Sequence, residues 1–356
     1  MKKIIALGTT ILILLVVLAG CSQSKSGNTD DNGNMKIGTS FDVVEEEVII
    51  NRGTEYELGG VLTLPDNAAE PLKAIVLVQG SGRTDRDETV GSNKPFKDIA
   101  EYLSAQGFAV LRYDKRTFVY GDEMALEPYT VEEESIQDAI AAANLIKADS
   151  RIDPNKVFLL GHSEGGMLAP RIDAEGGDFA GIITLAGSPR ELWELMFDQN
   201  MLGIEQAESQ GNQDIQGTSI EDVKDYITAE ALRAQTFADM SDDDAKATTL
   251  FGLPGYYQKD LITHPTKGYL EKLNKPILVL QGEKDIQIYA DKDFAAYKEI
   301  LAGKANAQFI LYQSLDHMFM PARTDQIIDL VDSYLSTPGH VDQKVLADIA
   351  DWLAAN

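Results

Sequence analysis

Apolar positions fall in three different rhythms along the chain, and each predicts a different kind of element. Val43 to Ile50 and Tyr56 to Leu64 are short β-branched runs separated by Asn51-Arg52-Gly53-Thr54, the pattern of two antiparallel strands with a turn between them. Continuous apolar runs then alternate with amphipathic stretches. Strands are expected at Ala74–Val78, Ala109–Tyr113, Val157–Leu160 and Ala180–Leu185, with helices at Pro95–Ala105, at Val131–Ala148 and from about Ser163. Strands that are apolar on both faces, separated by helices, predict a mostly parallel sheet covered on both sides. The alternation stops over residues 189–273, where helical stretches such as Arg190–Gln206 and Ser219–Phe237 occur without a buried strand between them. It resumes with a strand at Pro276–Leu280, a helix from Asp291, a strand at Ala307–Tyr312 and helices at Arg323–Leu335 and Val341–Ala354. The expected organisation is therefore one α/β core over residues 41–188 and 274–356, with residues 189–273 inserted as a helical cap. Extra outer helices that touch no ligand are the alternative for the insertion.

The N-terminus belongs to neither rhythm. Met1, Lys2 and Lys3 precede an almost unbroken apolar run from Ile4 to Leu18, and Leu18-Ala19-Gly20-Cys21 places small residues directly before the only cysteine. Such a segment reads as an export signal over residues 1–20. Leu18 to Cys21 resemble the lipobox of bacterial lipoproteins, which implies lipid attachment (palmitate among the acyl groups) at Cys21 and a membrane-anchored location outside the cytoplasm. Residues 21–40, rich in Ser, Gly, Asn and Asp, read as a flexible tether. With one thiol the chain cannot carry a disulfide framework or a thiolate metal cluster.

Charge narrows the set of partners. The 57 acidic residues against 31 basic ones give a formal net charge of -26, the opposite of what counterion release from nucleic acid requires. A neutral or cationic small molecule is favoured over a polyanion.

Candidate chemistry centres on Gly161-His162-Ser163-Glu164-Gly165, which follows an apolar strand and opens a helix. A serine held on so sharp a turn needs very small residues two places before and after it, so that strand and helix can approach. Its hydroxyl needs a base, and of the four histidines His317 is the one on a loop just after a core strand. His162 adjoins the serine and is expected to point elsewhere, His264 falls in the cap, and His340 in a Pro-Gly turn. The acid that fixes the imidazole is expected at Asp285, which follows the strand Pro276–Leu280 and the turn Gln281-Gly282, with Glu283 as second choice and Asp316 disfavoured as the neighbour of the histidine. An oxyanion hole is expected from the backbone N–H groups of Ser81, in Gln79-Gly80-Ser81-Gly82, and of Glu164. A plain tight turn or a phosphate cradle is the rival reading of that loop, although no Walker lysine follows it.

With these residues in place, the chain from about Thr54 onward resembles an α/β-hydrolase. The order Ser163, Asp285, His317 is that of the superfamily. The stretch Gly80 to Asp87, together with Arg112-Tyr113-Asp114-Lys115-Arg116, is similar to secreted bacterial acyl-ester hydrolases of the serine-aminopeptidase-like branch. The resemblance implies a cap between the sixth and seventh strands, a serine esterase activity through an acyl-enzyme, and no metal or organic cofactor. Its one departure is Gln79, where a histidine often precedes the glycine. Asp87, Arg86 and Arg116 are expected to form an ion-pair network under the oxyanion loop, or else to be exposed charges. Cap residues Trp193, Phe197, Met201, Phe251, Tyr256 and Tyr257 are expected to line an acyl pocket. A peptidase acting on short peptides and a non-catalytic ligand-binding lipoprotein are the rival functions.

Overall fold

The computed structural model describes residues 40–356; Cys21, the leader and most of the tether lie outside the described residues. Eight strands form one sheet: β1 (Val43–Ile50), β2 (Leu58–Pro65), β3 (Leu72–Val78), β4 (Ala109–Tyr113), β5 (Ile152–His162), β6 (Ile182–Leu185), β7 (Ile277–Gly282) and β8 (Ala307–Tyr312). Their spatial order is β1-β2-β4-β3-β5-β6-β7-β8. β1 pairs antiparallel with β2, and β2 antiparallel with β4. From β4 to β8 every pairing is parallel. The fold is thus the α/β-hydrolase fold, a mostly parallel sheet with helices on both faces.

Period-two alternation in the strands divides the core between the two faces. In β3, Ile75 and Leu77 join Phe158, Leu160 and Leu278 on one side, where α1 (Pro95–Ala105) contributes Phe96, Ile99 and Leu103 and the C-terminal helix contributes Val345, Ile349 and Trp352. Ala74, Val76 and Val78 face the other way, against Ala139, Ala143 and Ile146 of the helix that precedes β5 and Leu168 and Ile172 of the helix after β5. Both faces of the inner strands β3 and β7 are buried, which is why these parallel strands read as continuous apolar runs and not as alternating ones.

Helices follow in chain order: α2 (Arg116–Met124), α3 (Gln137–Lys147), α4 (Glu164–Ile172), then α5 (Leu192–Ser209), α6 (Ile220–Ala234), α7 (Asp242–Lys246), α8 (Gly255–Thr263) and α9 (Thr266–Lys272) between β6 and β7, and finally α10 (Ala295–Ile300), α11 (Leu330–Ser336) and α12 (Gln343–Ala355). Between β6 and β7 the only strands are two hairpins of two residues a side, at 214–219 and 249–254, neither joined to the main sheet. Two departures from the sequence expectation are local. α2 is absent from it because Thr117, Phe118, Val119, Tyr120 and Gly121 are weak helix formers, and the helix kinks at Tyr120. The helix expected from Arg323 begins as a short 3-10 turn at Ile327 and becomes α-helical at Leu330, with Arg323 outside it donating to the carbonyls of Ser333 and Thr337.

Candidate active site

The order of strands reverses around β3, with β4 on one side and β5 on the other, so the loops leaving β3 and β5 diverge at the carboxyl edge and leave a crevice. Gly80 and Ser81 come from the first loop and Ser163 from the second. Ser163 has φ 53° and ψ -117°, a left-handed conformation that a non-glycine residue adopts only when its surroundings enforce it. The surroundings here are backbone. A Cβ on Gly161 would come within 3.0 Å of the Gly165 carbonyl, and one on Gly165 within 3.0 Å of the carbonyls of Val78 and Gln79. Ser163 N–H donates to Leu185 O at 2.8 Å, and Met167 N–H returns to Ser163 O at 2.9 Å, so both sides of the turn are fixed.

His317 stands in the loop after β8. Its Nδ1 donates to Asp285 Oδ2 at 2.8 Å. With Nδ1 committed to the carboxylate, Nε2 is the nitrogen left to take a proton. Asp285 is itself saturated: Gln281 Nε2 donates to Oδ2 at 3.0 Å, and the N–H groups of Gln287 and Ile288 donate to Oδ1 at 2.8 and 3.0 Å. Glu283 is exposed. Asp316 turns back into its own loop, accepting from Met318 N at 3.0 Å and Met320 N at 3.1 Å. Gly282 makes the meeting of the two loops possible, since a Cβ there would strike the carbonyls of Leu315 and Asp316.

Ser81, Ser163, Glu164 and His317 line a single half-open cavity of about 110 Å³. Its apolar wall comes from Met167, Leu192, Leu195, Met196, Ile288 and Met318. The expected pocket residues are not on that wall. α5 turns Leu192, Leu195, Met196 and Gln199 to the cavity, one helical face at spacings of three and four, which puts Trp193, Phe197 and Met201 on adjoining faces where they pack half-buried against the core. Phe251 is buried in the core, Tyr256 lies under the Lys246 ammonium, 4.7 Å from ring centre to nitrogen, and Tyr257 is fully engaged with buried carboxyls.

Two further groups complete the polar side: Glu88, which the sequence did not single out, and His162, which does not point elsewhere as expected but lines the same cavity. His162 is buried beside His317, their ring centres 4.8 Å apart, and both of its nitrogens face acceptors: Glu88 Oε1 at 3.0 Å and the His317 carbonyl at 2.9 Å. Burial alone disfavours the imidazolium, but the Glu88 carboxylate outweighs it and raises the His162 pKa above the ordinary histidine value. Glu88 Oε1 also accepts from Gly80 N–H at 2.6 Å, so this pair ties the β3 loop to the serine turn and the histidine loop. No spacing rule reveals Glu88, 74 residues from His162.

The expected network of Arg86, Asp87 and Arg116 is instead three separate pairings. Arg86 bonds Asp114 at 2.7 Å and Glu47 at 2.9 Å, Asp87 pairs with buried Arg112 and with Lys94 at 2.8 Å, and Arg116 donates to Asp138 at 2.9 Å. The first two staple the loop after β3 to β1 and β4; the third lies under α2 and α3. Gln79 uses its side chain to bond the Tyr113 carbonyl, a strand-to-strand staple that leaves the loop's backbone donors unaffected.

A strained serine between strand and helix, at the carboxyl edge of a sheet in this strand order, defines a class of fold and site shared by many hydrolases. The comparisons agree: residues 75–330 match the alpha/beta hydrolase family, and the chain belongs to it. It is 33% identical over 315 residues to esterase EstD of Thermotoga maritima, an alignment spanning 87% of this chain and 67% of that protein. Among solved structures, Est1E from Butyrivibrio proteoclasticus superposes with a TM-score of 0.51 at 17% identity, over 86% of this chain and 99% of that one. The acylaminoacyl peptidase of Pyrococcus horikoshii gives a TM-score of 0.50 at 11% identity, over 83% of this chain and 40% of that one. At those identities the two structures speak for the fold alone.

Proposed function

We propose that this protein is a serine carboxylesterase with Ser163 as nucleophile, His317 as base and Asp285 as its orienting acid. The observation that carries the reading is the Asp285–His317 hydrogen bond, made at the wall of the same cavity that holds the strained Ser163. The identity to an esterase over most of the chain supports ester substrates in particular. In the proposed reaction His317 takes the Ser163 proton as Oγ attacks the ester carbonyl. The oxyanion is held by the N–H groups of Ser81 and Glu164, the latter at the positive end of α4. His317 then protonates the leaving alcohol, and water, activated by the same histidine, releases the acid from the acyl-enzyme. Of the carboxyls on the cavity wall, Glu88 pairs with His162 and Glu164 with Lys115, and the apolar lining suits a neutral acyl group.

Residues 189–273 act in this reading as a cap, with α5 as the part that meets the substrate. Cys21 is the site of lipid attachment, so that the enzyme works outside the cytoplasm on the surface of a bacterial membrane; among the described residues no helix is long and apolar enough to cross one. Replacing Cys21 by Ser should move the protein from the membrane fraction to the soluble fraction and abolish labelling by palmitate; retention in the membrane fraction would remove the anchor from the proposal.

A fluorophosphonate probe with peptide mapping tests the chemistry. Labelling at Ser163 that is lost in His317→Ala is the expected result, followed by turnover of p-nitrophenyl esters and not of the matching anilides. Absence of labelling in the folded protein would favour ligand binding without catalysis, and preferential anilide turnover would favour a peptidase.

A further inference from the structure

Lys115, at the end of β4, is only 2% exposed, yet it is a full charge in the middle of the fold. Its Nζ donates to Gly80 O at 2.8 Å and lies 3.3 Å from Glu164 Oε2 and 3.2 Å from Glu134 Oε1. Tyr257 of α8 reaches in from the opposite side, its hydroxyl 2.6 Å from Glu134 Oε2 and 2.8 Å from Glu164 Oε1. A phenol has one proton to give, so of these two contacts it donates one and accepts the other, and the accepted one requires a carboxyl that carries its own proton. One ammonium, one carboxylate and one carboxylic acid then sum to zero, the arrangement that burial favours. Burial pushes the Glu164 carboxyl above its ordinary range against the pull of Lys115.

What this cluster touches is more informative than its charge. Gly80 O belongs to the same planar, trans peptide as Ser81 N–H, so a bond to the oxygen fixes the opposite direction in which the N–H points, and a full positive charge on the oxygen strengthens the N–H as a donor. Glu164 supplies the other proposed oxyanion donor through its backbone, and its side chain is held by the same Lys115 and by Tyr257. We propose that Lys115 is a positioning residue that sets both donors of the oxyanion hole, and that Tyr257 couples the seating of α8 to that hole. The inference rests on the esterase reading above and goes beyond it, since neither residue touches substrate.

Steady-state kinetics with p-nitrophenyl acetate, combined with the affinity of a trifluoromethyl ketone whose adduct places an oxyanion in the hole, test it. Losing one oxyanion donor outright costs about 10²–10³ in kcat. Lys115→Met should therefore lower kcat about 10–100-fold with KM within about twofold, and weaken the trifluoromethyl ketone by the same factor, while binding of the corresponding methyl carbinol is unchanged. Tyr257→Phe, which keeps Lys115 and its bond to Gly80, should show the same signature at about 3–10-fold, and it decides the matter if Lys115→Met does not fold. Folded variants with unchanged kcat, or with a lower kcat and undiminished ketone affinity, would reduce the cluster to a structural ion pair and leave the esterase proposal standing. A wild-type protein that neither turns over the ester nor reacts with a fluorophosphonate would overturn both.

Discussion

Four hydrogen bonds converge on the Asp285 carboxylate, one of them from His317, whereas Glu283 two residues earlier is in water. Asp285→Asn leaves the shape intact but offers the imidazole an amide in place of a carboxylate, so the wrong tautomer is stabilised; kcat should fall by about 10³–10⁴. Glu283→Gln should stay within about twofold of wild type, because an exposed carboxylate contributes little. A larger loss for Glu283→Gln would transfer the acid to that residue. The Glu88–His162 pair gives a prediction of a different kind. Its histidine has a pKa raised on folding, so the stability it supplies is complete below the unfolded value, roughly pH 6.5, and is lost as pH rises through the folded value. The difference in Tm between wild type and Glu88→Gln should therefore be largest in mild acid and shrink toward pH 9. A difference that grows with pH would mean that His162 is neutral in the folded protein.

At the scale of elements, close backbone approach decides what the strand–turn–helix at Ser163 tolerates. Gly165→Ala would drive a Cβ into the carbonyls of Val78, the last residue of β3, and of Gln79 just after it, and should cost about 3 kcal/mol or more in chemical denaturation. Gly268 is the informative contrast. It sits inside α9 with open space around the position of a Cβ, so Gly268→Ala should stabilise by roughly 0.5–1 kcal/mol through helix propensity and a less flexible unfolded chain. Equal effects at the two positions would deny that packing distinguishes them. The same scale explains what the pattern of apolar residues conveyed. Runs such as Ala74–Val78 announce buried strands because both faces of a parallel sheet are covered, whereas α2, with its aromatic and β-branched residues, is anchored at its start by the contacts of Arg116 with Asp138 and of Lys115 with its buried partners.

For the whole molecule, two properties matter: the size of the cavity and the excess of negative charge. A space of about 110 Å³ has room for roughly four water-sized groups at about 30 Å³ each. Acetyl to butyryl esters should accordingly be hydrolysed with a higher kcat/KM than decanoyl esters, whose chain exceeds the cavity. Preference for long chains would mean that α5 moves away from the cavity in solution. The net charge of -26 implies self-repulsion across the folded surface, so Tm should rise when sodium chloride is increased from low to physiological concentration and the repulsion is screened. A fall in Tm would mean that the surface ion pairs outweigh the excess charge.

By itself the sequence determined the strand and helix rhythm, the sheet class, the strained serine turn with its glycines, and the loops that carry Asp285 and His317. These are local consequences of apolar periodicity and of backbone sterics, and they are written within a few residues of where they act. Only the tertiary structure decided which face of α5 meets the cavity, since Trp193 and Leu192 are equally apolar and a rotation of one residue about the helix axis separates them. It also decided that Arg86, Asp87 and Arg116 share no partner with one another, and that Glu88 and His162, or Lys115, Glu134, Glu164 and Tyr257, share one buried space. Such groupings depend on contacts between segments tens to more than a hundred residues apart, whose charges are interchangeable in a chain this acidic until the fold has chosen which of them lose water together.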